Sequence, residues 1–210
     1  MSQLQRKGFR PLVVDPQGCD QPGLVYKGFA EDIAYSRRWR GAIVSTPCDD
    51  DALCGSQYFD LKTKNGTHYW GMYLSAFCWC IPADALLFEH PLTVLEKTWR
   101  RAHQTVHPYY FGADDNGNCL KKTTLLWVRG WKLIHATNVM QGTPFDYKHA
   151  IKDFDPVSRT HRRSEFTWNM AIALVDQCNP DTIIDGAEQP SLSVELALLA
   201  NNYAKIYGVE

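Results

Sequence analysis

Apolar positions along this chain alternate between short unbroken runs and longer stripes at helical spacing. Pro11-Leu-Val-Val-Asp15 reads as a buried strand that ends in an acid and enters a loop at Pro16 and Gly18. Trp39-Arg-Gly-Ala-Ile-Val-Ser-Thr46 predicts a second strand, stopped by Pro47. From Thr67 to Cys80 apolar residues recur at Trp70, Tyr73, Leu74 and Phe77, with Ile81 beyond, which predicts a largely buried helix. Pro82-Ala-Asp-Ala-Leu-Leu-Phe-Glu89 predicts a third strand, again ending in an acid, and Leu92 to Arg101 a helix with a basic end. Thr123-Thr-Leu-Leu-Trp-Val128 is a fourth strand. Arg162 to Cys178 has the spacing of a helix, stopped by Asn179-Pro180. A final helix starts from Ser191 or Ser193 as N-cap and stops at Gly208. Strands alternating with helices, each strand a continuous apolar run, predict an α/β fold with a largely parallel sheet.

Composition narrows the class. A chain of 210 residues is one domain of ordinary size, and 45% apolar with 21% charged residues is a folded protein, so a single domain over 1–210 is expected. The net charge of -1 gives no global field toward nucleic acid, so any such contact needs a local basic patch. No apolar run approaches the roughly 18 residues of a membrane span, so no membrane partner is expected. The polar start Met1-Ser-Gln-Leu-Gln-Arg-Lys7 does not resemble a signal peptide. With 7 Cys, an odd number, the expected location is a reducing cytoplasm. Cys78-Trp-Cys80 lacks zinc spacing and a second pair, so it reads as two buried thiols on a hydrophobic helix, and no metal is expected.

Chemistry in such folds gathers at the carboxyl ends of strands. Three strand ends are polar here: Asp15, the turn Thr46-Pro47-Cys48-Asp49-Asp50-Asp51, and Glu89-His90-Pro91. A Cys held in a Pro turn just past a strand is where a thiol nucleophile would be exposed. By residue type alone, the plainer reading is a small loop filler followed by acids that cap the next helix. The Asp triplet offers hard oxygen ligands, but consecutive residues point apart, which favours capping and solvation. Basic clusters lie at Arg37-Arg38-Trp39-Arg40, at Lys97 with Arg100-Arg101, at Lys121-Lys122, and at Arg159 with Arg162-Arg163. Each is either a solvated face or a phosphate contact.

In order along the chain, these residues resemble the DNA cytosine-5 methyltransferases, especially compact bacteriophage versions. The resemblance runs from about Lys7 to Cys178. It rests on Lys7-Gly-Phe-Arg-Pro-Leu-Val-Val-Asp15, Glu31-Asp32-Ile33, Ile43-Val-Ser-Thr-Pro-Cys48, and Cys54-Gly-Ser-Gln-Tyr-Phe59. It continues through Leu87-Phe-Glu-His-Pro91, His107-Pro-Tyr-Tyr-Phe-Gly112, Lys122-Thr-Thr-Leu-Leu-Trp127, and Arg163-Ser164 with Met170-Ala171 and Gln177. What the resemblance implies is a Rossmann-like methyltransferase sheet, mostly parallel, with helices on both faces. It implies S-adenosylmethionine as donor and a cytosine flipped out of DNA as substrate. Cys48 is then the nucleophile on the base and Glu89 the partner of its ring nitrogen. Asp15 holds the donor ribose, Asp32 its adenine end, and Pro47 lies beside the donor. Lys97, Arg100, Arg101, Lys121, Lys122 and Arg163 face DNA. For a phage protein the location is the bacterial host cytoplasm.

The sequence departs from that family in four places. The family's first strand and Gly-rich donor turn find no match ahead of Lys7, His90 stands where the family has Asn, the loop after Cys48 is acidic, and no large target-recognition domain is visible. The segment Asp181-Thr-Ile-Ile-Asp-Gly186 followed by a helix and Lys205-Ile-Tyr-Gly-Val-Glu210 has the shape of a displaced front end, although a plain C-terminal helix on the sheet is the simpler expectation. The first strand is therefore missing or replaced by this tail, or a partner or second copy completes the site. Three readings follow: a methyltransferase acting on DNA through Cys48, the same activation of the base with a different donor, or a catalytically silent relative that binds DNA or protein, as in phage–host antagonism.

Overall fold

A computed structural model describes residues 5, 8, 10–16, 24–114, 117–146 and 167–208. Its main sheet has four strands in the order β3-β4-β7-β5, with β3 at Trp39–Ser45, β4 at Ala83–Pro91, β5 at Gln104–Val106 and β7 at Thr124–Arg129. Two small parallel pairs stand apart from it: β1 (Leu12–Val14) with β2 (Leu24–Tyr26), and β6 (Leu120–Lys121) with β8 (Phe145–Asp146). Six described helices accompany them. They are α1 (Ala30–Ile33), α2 (Phe59–Lys64), α3 (Thr67–Trp79), α4 (Leu95–Thr98), α5 (Trp168–Gln177) and α6 (Leu192–Tyr207).

The α/β class stands, but the largely parallel sheet expected above gives way to a mixed one. β3 and β4 are parallel, whereas β7 is antiparallel to both β4 and β5. The cause is the connection. Between β5 and β7 the described chain has only a 3-10 turn and β6, and no crossover helix to carry it back for a parallel pairing. All six residues of β7 are buried. A continuous apolar run reports burial on both faces and is silent about direction.

Side chains of β4 and β7 alternate between two cores. Leu86 and Phe88 join Leu125 and Trp127 on one face, under Met72, Ala76 and Trp79 of α3 and Leu199 and Tyr203 of α6. Ala85 and Leu87 join Leu126 and Val128 on the other, against Met170, Ala173 and Leu174 of α5. Helices therefore cover both faces. Polar bonds fix the layers. Trp99 Nε1 donates to Glu195 of α6 at 2.8 Å, and Arg100 pairs with the same carboxylate. Buried Arg129 donates to the carbonyls of Ala83 at 2.8 Å and Ile81 at 3.1 Å, and to Gln189 at 3.0 Å.

The helix expected over Leu92 to Arg101 is a single turn, because the chain leaves helical geometry at Trp99, where φ is -128°. Trp99 then enters the core and Arg100 reaches Glu195. The tail forms α6, capped at Gly208 with φ 65°, and packs on α3 and α4. The described residues of the tail contain no strand. The expected buried thiols hold: Cys78 and Cys80 are buried, and burial pushes both up to about 12.

The outer edge of β3 has no strand partner among the described residues, and Ile43 in that strand is 44% exposed. None of the described side chains of β1 and β2 is buried.

Between α3 and α6 sits His68, fully buried and stacked on Phe59 at 4.4 Å, with the Tyr207 ring edge-on at 4.9 Å. Burial, reinforced by Lys62, holds its pKa below the usual imidazole range. The unfolded chain takes up a proton here near pH ~6.5 that the folded chain refuses. The contribution to stability is thus intact above about pH 6.5 and lost as pH falls below it. His68→Phe keeps the ring stack and is expected to flatten the fall of the melting midpoint between about pH 7 and about pH 5. An unchanged slope would count against this role.

Candidate functional site

The polar ends of β3 and β4 lie side by side, because the two strands are parallel and Ser45 pairs in register with Glu89. Ser45 Oγ donates to Glu89 Oε2 at 2.8 Å. Glu89 is 4% exposed, and this desolvation raises its pKa against the opposing pull of Lys122 and the Ser45 bond. The chain leaves β3 through buried Thr46, which shares a hydrogen bond with Ser75 of α3 at 3.2 Å. Exposed Pro47 and half-buried Cys48 follow.

The Cys48 turn is sewn to the segment after β4. Ala52 N donates to the Cys48 carbonyl at 3.0 Å, Leu53 N to Leu92 at 3.0 Å, and Val94 N to Asp51 at 3.1 Å. The thiol and the Glu89 carboxyl are thereby held at one end of the sheet. Burial pushes Cys48 up to about 11, with Asp49, Asp51 and Cys54 adding to the shift and Lys122 opposing it. In the free protein Cys48 is therefore a thiol at neutral pH, and it must lose its proton as it reacts.

Lys122 acts on both Cys48 and Glu89. The sheet explains its position. β7 runs antiparallel to β4 with Thr124 opposite Pro91, so the residues leading into β7 arrive where β4 ends. The resemblance implies only a DNA contact for Lys122. Its proximity to Cys48 depends on the direction of β7, which the apolar pattern does not carry.

The acidic run after Cys48 does not cap a helix. The next element is a 3-10 turn whose N-cap is Ala52. Asp50 pairs with Lys62 at 3.1 Å, and the Asp49 carbonyl accepts from the same ammonium. Asp51 is fully buried, its Oδ1 3.3 Å from His90 Nε2. That contact is close, but it lacks hydrogen-bond alignment.

The other expected residues lie elsewhere. Half-buried Asp15 follows β1, and its main chain bonds Tyr26 and Gly28. Exposed Asp32 in α1 accepts from Tyr26 Oη at 3.2 Å and Phe29 N at 3.1 Å. Lys97, Arg101 and Lys121 are exposed. Arg100 is held by Glu195 and lies over the Trp99 ring at 5.0 Å. Arg163 lies outside the described residues.

The fit of S-adenosylmethionine is incomplete. Asp32 already accepts two bonds, a Cβ at Gly28 would fall 2.4 Å from the Tyr26 ring, and no Gly-rich turn stands among the described residues at the ends of β1 or β3. No donor step is therefore built on these residues. Among the described residues no group of three or more His, Cys, Asp or Glu is placed to hold a metal ion, and no helix is long and apolar enough to cross a membrane.

Fold and site together define a mixed α/β protein that presents a thiol and a buried carboxyl at the ends of neighbouring parallel strands. No protein-family model, no curated protein and no solved structure matches the chain.

Proposed function

We propose that this chain is a DNA cytosine-5 methyltransferase-like protein that activates a flipped-out cytosine through Cys48 and Glu89. The observation that carries the reading is their placement at or just past the ends of adjacent parallel strands, with Lys122 acting on both. The chemistry balances. The Cys48 thiol gives its proton to water, and the sulfur forms a bond to carbon 6 of the ring. The electron pair of the 5,6 double bond moves toward the ring nitrogen, which takes the proton held by Glu89. Burial raises Glu89 above the usual carboxylate range, the direction a proton-donor role needs. The enamine so formed is nucleophilic at carbon 5. It takes up an electrophile there; the ring nitrogen returns its proton to Glu89, water takes the original carbon-5 hydrogen as a proton, and the sulfur leaves as thiolate. Exposed Lys97, Arg101 and Lys121 are available to phosphates.

The strand order lends further support. A doubly wound sheet runs 3-2-1-4-5-6, so omitting strand 1 separates a parallel 2–3 pair from the rest. β1 and β2 are such a pair, and β3 and β4 match strands 4 and 5 in direction and adjacency.

Base activation is testable without any methyl donor, because water can supply the electrophile at carbon 5. DNA carrying tritium at cytosine carbon 5 should release it to water when incubated with the protein. No release above a protein-free blank, on either single- or double-stranded DNA, overturns the reading. One observation favours the second reading, a catalytically silent relative that binds DNA: the Cys48 thiol pushed up to about 11. In that case DNA binding persists without exchange.

A further inference from the structure

Behind the Cys48 turn lies an ionisable pair that the proposed step does not use. Asp51 and His90 are each wholly withdrawn from solvent, 3.3 Å apart. Asp51 hangs from the turn that Cys48 begins, and its carbonyl accepts from Thr93 Oγ1 at 2.9 Å and Val94 N at 3.1 Å. His90 follows Glu89 in β4 but points to the opposite face, its ring 5.8 Å from that of Phe88 and its Nδ1 3.3 Å from the Pro91 carbonyl. The pair thus joins the nucleophile's turn to the strand that bears the carboxyl. Neither Asp51 carboxyl oxygen nor His90 Nε2 has an aligned hydrogen-bond partner among the described residues. Burial disfavours the charged form of each, raising Asp51 and lowering His90. The surrounding charged and titratable groups are Asp49, Asp50 and Cys54 on the turn side, Lys62 from α2, Glu89 on β4, and Lys122 ahead of β7.

We propose that Asp51 and His90 are a positioning pair whose shared proton governs how readily Cys48 ionises. This rests on the reading of Cys48 as nucleophile. With the proton, the pair has no net charge behind the turn, and Lys122 favours the thiolate unopposed from that side. Without it, the Asp51 carboxylate stands behind Cys48 and holds it as a thiol. Burial acts on the pair in the required sense, pushing Asp51 up to about 7 and His90 down to about 4, so one proton is held between those values and none above. Asp51 is also among the groups that raise Cys48.

The test reads Cys48 directly, by its alkylation rate with iodoacetamide across about pH 6 to about pH 9, peptide by peptide in a mass spectrometer. Exposed Cys54, in the same loop, is the internal reference. In the unaltered protein the Cys48 rate should climb by clearly less than tenfold per pH unit across about pH 7, as the pair loses its proton, and regain the full slope above. Asp51→Asn should remove that flattening. It should raise the Cys48 rate at about pH 8.5 by about fivefold to tenfold, leave it within about twofold at about pH 6, and leave Cys54 unchanged. A full slope through pH 7 in the unaltered protein overturns the proposal, and this arm stands even if the variant does not fold. So does a variant in which Cys54 and buried Cys78 gain reactivity in step with Cys48, which marks simple loosening. Neither arm involves DNA, so failure of tritium exchange and failure of this proposal are separate outcomes.

Discussion

Cys48→Ser should reduce release of tritium from cytosine carbon 5 by at least about a thousandfold, which is about 4 kcal/mol of transition-state stabilisation. The serine hydroxyl is nearly isosteric but a far weaker nucleophile at the same place. Cys48 is only half-buried and its main-chain bonds do not involve the sulfur, so the melting midpoint should barely move. Glu89→Gln is the companion. It keeps a hydrogen-bonding group beside Ser45 but has no proton to transfer to the ring, and should cost about 100-fold to 10,000-fold. Activity retained by Cys48→Ser would remove the nucleophile and with it the proposed chemistry.

Trp127→Ala should cost about 3–5 kcal/mol of stability, against a typical total of about 5–15 kcal/mol. Trp127 is fully buried in the central strand β7, its ring 5.2 Å from Phe88 and 6.1 Å from Trp99. Its Nε1 donates to the Arg100 carbonyl at 3.2 Å, so truncation leaves both a cavity and a bare acceptor. A urea titration read by circular dichroism measures the loss. A midpoint within about 0.3 M of the unaltered protein's would show that the two cores do not depend on this ring.

How much of this was legible in the sequence follows from burial. β4 and β7 announced themselves because a strand covered on both faces is a continuous apolar run, β3 because an apolar stretch is stopped by Pro47, and α6 because its cap and stop residues flank a helical stripe. The strand ends before Cys48 and at Glu89 were legible as polar, and only the resemblance joined the two residues in one role; the parallel register of β3 and β4 sets those ends side by side. β2 and β5 were missed, each only three residues long and too short to make a pattern. The direction of β7 was misjudged, and with it the place of Lys122. Asp51 looked like a helix cap because nothing local distinguishes a solvated acid from one folded against a histidine 39 positions later. Partners so far apart in sequence become visible only once the strands are laid side by side.

The shallow packing of β1 and β2 bears on the thermodynamics of whatever meets Asp15 and Asp32. Two paired strands of three residues, with no described side chain buried, have little cohesion of their own. A ligand seated there stiffens the pair as it binds and surrenders part of its contact energy as lost chain entropy. Its association should be enthalpy-driven, and weaker than the same contacts would give on β4 and β7.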